Sequence, residues 1–154
     1  MSRPTSFYYE SNGPCASDNC SSTVLALGNP VLWWAGLLAI PYQLWRWIAG
    51  RDWRSGAVIV GIAAGWLPWF LYLNRTIFTF YTVVYVPFVA MAVALTIGAI
   101  VRGLGERRRV VSAVVVTVFL LLIVVSAWWF YPIWTAEVIP YEAWRARMWL
   151  PTWI

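Results

Sequence analysis

The chain contains no histidine and no lysine, and six acidic residues in 154. Without imidazole there is no Ser–His relay, no histidine base and no ordinary histidine-based zinc site. Charged residues make up 11% of the sequence, against about 25% in a soluble domain. So little charge does not clothe a water-soluble surface. The two cysteines, Cys15 and Cys20, share one polar stretch. Their spacing leaves two readings open, a small disulfide loop in an oxidising compartment or a pair of thiols. Residues 1–27 have no basic start and no apolar core, so no cleavable signal peptide is read there. A polar opening without a targeting element leads us to expect a further portion upstream. No cofactor and no metal site are expected.

What is present is apolar. Hydrophobic residues reach 62% and aromatics 18%, arranged in runs near the length needed to cross a bilayer, about 20 residues. The expected fold class is all-α integral membrane, with four transmembrane helices near 31–48, 57–73, 77–101 and 110–131. Residues 1–28 read as an external loop, because SNGPCASDNCSS is rich in turn formers. Asn29-Pro30 opens the first span, since proline is tolerated at the first helical position. Pro41 is expected to kink that span, Pro68 disturbs the second, and Pro87 interrupts the third. Gly61 and Gly65 lie one turn apart on span two, and Ala90, Ala94 and Gly98 repeat at four-residue spacing on span three. Such faces admit a close neighbour, and they lead us to expect partner helices outside this chain and poor stability of the chain alone in detergent.

The net charge of +5 is carried by arginine next to apolar runs. That pattern fits membrane topology, not nucleic acid, for which no basic stripe with exposed aromatics is present. Arg46, Arg51 and Arg54 follow span one, and Arg102, Arg107, Arg108 and Arg109 follow span three. Those loops are expected on the cytoplasmic side of a plasma membrane, which puts both termini outside. The tail, 132–154, is too charged to span. Pro140 is expected to start a short interfacial helix whose Tyr141, Trp144 and Met148 share one face.

The stretch 57–101 holds one arginine, Arg75, between two apolar segments and among Trp66, Trp69, Phe70, Tyr72, Phe78, Phe80, Tyr81 and Tyr85. A charge at that depth calls for an anionic partner or the interface. RPTSFYYE, GNPVLWW, RDWR, GWLPWF, the Arg75 turn leading to FYTVVYVPF, and the closing YEAWRARMWLPTWI follow one another in order. In that order and spacing they resemble the C-terminal part of bacterial protein O-mannosyltransferases. The resemblance covers essentially the whole chain. It implies a multi-span, inverting glycosyltransferase that takes mannose from a polyprenyl-phosphate donor and transfers it to Ser or Thr of secreted proteins.

In that family an Asp-Glu pair in the first external loop is catalytic. No counterpart of that loop is read here, so the chain is expected to be the C-terminal four-span module. It would lack a catalytic residue, be inactive alone, and work with the remaining N-terminal part of the enzyme. The outer carboxylates, Glu10, Asp18, Glu137 and Glu142, form no such pair. For the phosphate of the donor lipid, Arg75 is the first expectation and Arg3 the second, because guanidinium pairs well with phosphate at headgroup depth. Tyr81 and Tyr85, one turn apart, are expected to contact the sugar or phosphate. The alternative is a non-catalytic four-span assembly protein, with Arg75 snorkelling at a helix end. A cavity lined by Arg75, Tyr81 and Tyr85 separates the two.

Overall fold

The computed structural model describes residues 6–10, 15, 19–72, 79–105 and 108–150. In chain order the elements are β1 (Ser6–Glu10), β2 (Cys20–Leu25), α1 (Pro30–Ile48), α2 (Trp53–Trp66), α3 (Val86–Leu104), α4 (Arg109–Trp134), β3 (Ile139–Pro140) and α5 (Tyr141–Ala146). Two 3-10 segments, Leu67–Tyr72 and Thr79–Val84, lie between α2 and α3. The chain divides into two compact units. One comprises Pro30–Thr76 and Thr82–Val124, the other Met1–Asn29, Ile77–Tyr81 and Val125–Ile154.

The first unit is a helical bundle. Among the described residues, three helical segments are long and apolar enough to cross a membrane: Trp53–Leu71, Val86–Leu104 and Arg109–Trp134. Helix α1 has 19 residues, but four tryptophans, Tyr42, Gln43 and Arg46 leave it less apolar than those three. Helix α1 runs through Pro41. Helix α2 begins four residues earlier than the sequence suggests, because the Asp52 carboxylate accepts the Arg54 N–H at 3.0 Å and caps it. Helix α3 begins at Val86, not 77. Pro87 sits in its first turn, where the missing N–H is harmless, so this proline starts the helix instead of breaking it. Gly105 ends α3 at φ 68°, a positive value that glycine adopts freely.

The bundle core is Ala39, Val58, Ile62, Val89, Ala92 and Val93, with Leu32, Phe88 and Phe119 packed around it. A Cβ on Gly36 would stand 2.6 Å from Val89, and one on Gly61 would run into the Phe88 ring. The small-residue face of α2 is therefore filled by α3 of the same chain, which corrects the expectation that it awaits an outside helix. Most of α4 is exposed, as its Val, Leu and Ile content suits in hydrocarbon.

The second unit corrects the reading of 1–28 as a loop. Strands β1 and β2 pair antiparallel with Tyr9 opposite Thr23 and Glu10 opposite Ser22, and β2 pairs antiparallel with β3 through Cys20–Pro140 and Ser21–Ile139. Cys15 forms a disulfide with Cys20, the first residue of β2. Below the sheet, Leu25, Phe130, Ile133, Trp144 and Met148 form a core. Trp144 of α5 and Met148 just beyond its end are thus covered by protein, whereas the sequence assigned them to a helix face at a lipid interface.

Candidate functional site

Arg75 and Arg3 lie outside the described residues. Of the other expected contacts, Tyr81 belongs to the strand-containing unit and Tyr85 to the bundle. Tyr85 stands directly before α3. Its N–H donates to the Thr82 carbonyl at 3.0 Å, and its own carbonyl accepts the Val89 N–H at 3.0 Å. Its ring meets Trp33 of α1 edge to face at 6.2 Å. A Cβ on Gly65 would lie 3.0 Å from the Tyr85 Cβ, so the last turn of α2 sits directly against it. Tyr85 is held from both sides and remains partly exposed.

Around it the same end of the bundle is aromatic. Helix α2 gives way to a 3-10 turn at Leu67-Pro68, where proline withdraws a backbone donor. The Trp69 indole N–H caps the Gly65 carbonyl at 3.1 Å, and Trp66 packs edge to face on Phe70 at 5.0 Å. Trp66 and Phe70 are each half exposed. This is an apolar, ring-lined surface at the end of α2, with Tyr85 supplying a phenol.

The other half of the bundle holds a polar constellation that the sequence reading missed. Gln43 of α1 and Ser55 of α2 are both fully buried. Ser55 donates to Gln43 Oε1 at 2.6 Å, and Gln43 Nε2 donates to Thr96 Oγ1 at 2.9 Å and to the Ala92 carbonyl at 3.4 Å. Thr96 in turn donates to the Ala92 carbonyl at 2.8 Å. Three helices are joined through one amide whose hydrogen-bonding groups are all engaged. The available signal was slight: Gln43 and Thr96 each stand within a largely apolar run, and Ser55 follows Arg54 at the edge of one. Just beyond, Arg46 and Asp52 form a 2.6 Å ion pair across the α1–α2 turn. Desolvation pushes the Asp52 carboxyl up, but the Arg54 and Ser55 hydrogen bonds and the Arg46 charge together hold it below its ordinary value.

In the strand-containing unit the tail is clamped by Arg147. Its Nε donates to the Trp129 carbonyl at 2.8 Å, an Nη donates to the Ala143 carbonyl at 2.6 Å, and the guanidinium lies 4.7 Å over the Trp129 ring. Ser22 Oγ donates to the Ala136 carbonyl at 2.7 Å, and the Tyr141 N–H donates to the Asn19 carbonyl at 3.1 Å. Glu137 and Glu142 are exposed, with Glu142 in the first turn of α5.

These features define a helical membrane protein with an aromatic site at one end of its bundle. The chain is 36% identical over 141 residues, 90% of its length, to the polyprenol-phosphate-mannose–protein mannosyltransferase of Mycobacterium tuberculosis, and equally to that of Mycolicibacterium smegmatis. It is 28% identical over 155 aligned positions to the Corynebacterium glutamicum protein of the same name. The chain spans 27% of the length of the mycobacterial relatives and 30% of the corynebacterial one. No protein-family model matches it, and no solved structure matches it.

Proposed function

We propose that this chain is the C-terminal portion of a protein O-mannosyltransferase, and that it contributes donor-lipid binding and scaffold to the enzyme. The observation that carries the reading is the similarity of 90% of the chain to a contiguous portion of named polyprenol-phosphate-mannose–protein mannosyltransferases. Its four helices cross the plasma membrane, with the arginine-rich turns cytoplasmic and both termini outside.

In this reading the Arg75 guanidinium meets the phosphate of the polyprenyl donor, and Arg3 adds a second positive charge. A guanidinium presents paired donors to phosphate oxygens, and it keeps its charge at headgroup depth. Trp66 and Phe70 offer apolar ring faces to the isoprenoid. The hydroxyls of Tyr81 and Tyr85 donate to phosphate or sugar oxygens. Transfer forms a bond from the mannose anomeric carbon to the Ser or Thr oxygen of a secreted protein, and polyprenyl phosphate leaves. The carboxylate that accepts the hydroxyl proton comes from the N-terminal part of the enzyme, so the present chain binds donor without turning it over.

The test is donor binding by the chain in nanodiscs, with polyprenyl-phosphate-mannose as ligand. Arg75→Gln is expected to weaken binding about tenfold, the loss of one charge-assisted contact. Equal affinity of the variant would overturn the donor role. Grafting the chain into the corresponding portion of the Mycolicibacterium smegmatis enzyme should preserve mannose transfer to a Ser/Thr peptide. A graft that folds but transfers nothing would overturn the assignment to this enzyme class.

A further inference from the structure

We propose that the arginine-bearing end of the helical bundle is a binding surface for anionic phospholipid headgroups. The helix directions define that end. Trp33 meets Tyr85, Gly36 faces Val89, and Gln43 bonds Thr96, so α1 and α3 run parallel. Helix α2 runs against both, with Ser55 beside Gln43 and Gly65 beside Tyr85. The C-terminal ends of α1 and α3 and the start of α2 therefore share one end of the unit, and α4 starts five residues after α3 stops.

All charged residues described in this unit lie at that end: Arg46, Arg51, Asp52, Arg54, Arg102, Arg108 and Arg109. Asp52 neutralises Arg46 within the turn. Arg51, Arg54, Arg102, Arg108 and Arg109 are exposed, and none has a carboxylate partner among the described residues. Among the described residues, these five guanidinium groups have no carboxylate partner, and they call for anions.

The surroundings identify the source of those anions. Trp45 and Trp53 at the same end are 63% and 73% exposed, and Arg54 lies 5.8 Å over the Trp53 ring. Exposed indoles beside apolar helices lodge at headgroup depth. The guanidinium groups are then at the level of lipid phosphates, and arginine engages phosphate by paired hydrogen bonds. A membrane surface of this kind draws basic side chains within a Debye length. This inference rests on the helices crossing a bilayer and is independent of the mannosyl-donor role.

Native mass spectrometry of the detergent-solubilised chain tests it, using phosphatidylglycerol and phosphatidylcholine of identical acyl chains. The expected result is a preference of about tenfold for phosphatidylglycerol, reduced severalfold in about 0.5 M salt. The triple variant Arg51→Gln, Arg54→Gln, Arg102→Gln should bring the preference near unity, while Arg145→Gln in the other unit leaves it unchanged. Equal retention of the two lipids by the unaltered chain would overturn the proposal without reference to any variant. So would a preference that survives the triple change, or one abolished by millimolar inorganic phosphate, which would indicate a free-anion site instead of a lipid surface.

Discussion

The two units of this chain are held together by different means. In the bundle, three helices meet around small residues, and Gln43, Ser55 and Thr96 are tied by hydrogen bonds in an otherwise apolar interior. In the strand-containing unit, Phe130, Ile133, Trp144, Met148 and Leu25 pack under a short sheet braced by a disulfide. The difference follows from the solvent each construction suits. Hydrocarbon gives helices no hydrophobic reason to associate, so close packing and buried polar contacts do it. Where water must be expelled, large apolar side chains dominate.

The largest effect should come from attacking the aromatic core. Phe130 is wholly buried, and Phe130→Ala is expected to cost about 3–5 kcal/mol, read as lost hydrogen-exchange protection of β2. Ile62→Ala in the bundle should cost less, about 1–2 kcal/mol, because lipid is as apolar as the site and packing alone is lost. Equal losses would erase the distinction between the units. Next comes the disulfide. Replacing Cys15 and Cys20 by serine frees a loop with a sequence separation of 5, worth about 2 kcal/mol on chain-entropy grounds. Protection of β2 should fall while that of α2 stays level.

Gln43→Leu removes the amide partner of the Ser55 hydroxyl and the tie to Thr96. We expect about 1 kcal/mol, with protease susceptibility rising at the α1–α2 turn. No change would mean that shape alone holds the bundle. The smallest effect is at Asp52. Its carboxyl is held low in the folded chain, so the unfolded chain binds the proton more readily. The stabilisation is complete above the ordinary carboxylate range, about pH 4, and is lost as pH falls through the lower folded value. Acid titration of the native chain should show this loss and Asp52→Asn should not. Identical acid profiles would remove the ion pair from the account.

The helices were legible because long apolar runs leave few alternatives, and proline marked their ends. The role of Pro87 was misread, since a helix-starting and a helix-breaking proline look alike until the preceding segment is known. The strands were hidden for a physical reason. Strand β2 is buried on both faces over most of its length, so CSSTVL carries no period-two alternation. Its partner β3 is two residues long and lies over a hundred positions away. The dense turn formers between 11 and 19 dominated the local reading. At the candidate site, Tyr85 was named from its place near Arg75, but its contacts with Trp33 and Gly65 needed three dimensions. Gln43 was passed over because one amide in an apolar run carries no motif.

That amide has a consequence for how the chain assembles. Its oxygen and both its N–H groups find partners on two neighbouring helices at one relative alignment. Sliding α1 along α3 by a single residue would swing the side chain away from both and strand it in hydrocarbon. The side chain therefore works as a registration peg, favouring one alignment of the three helices over its neighbours.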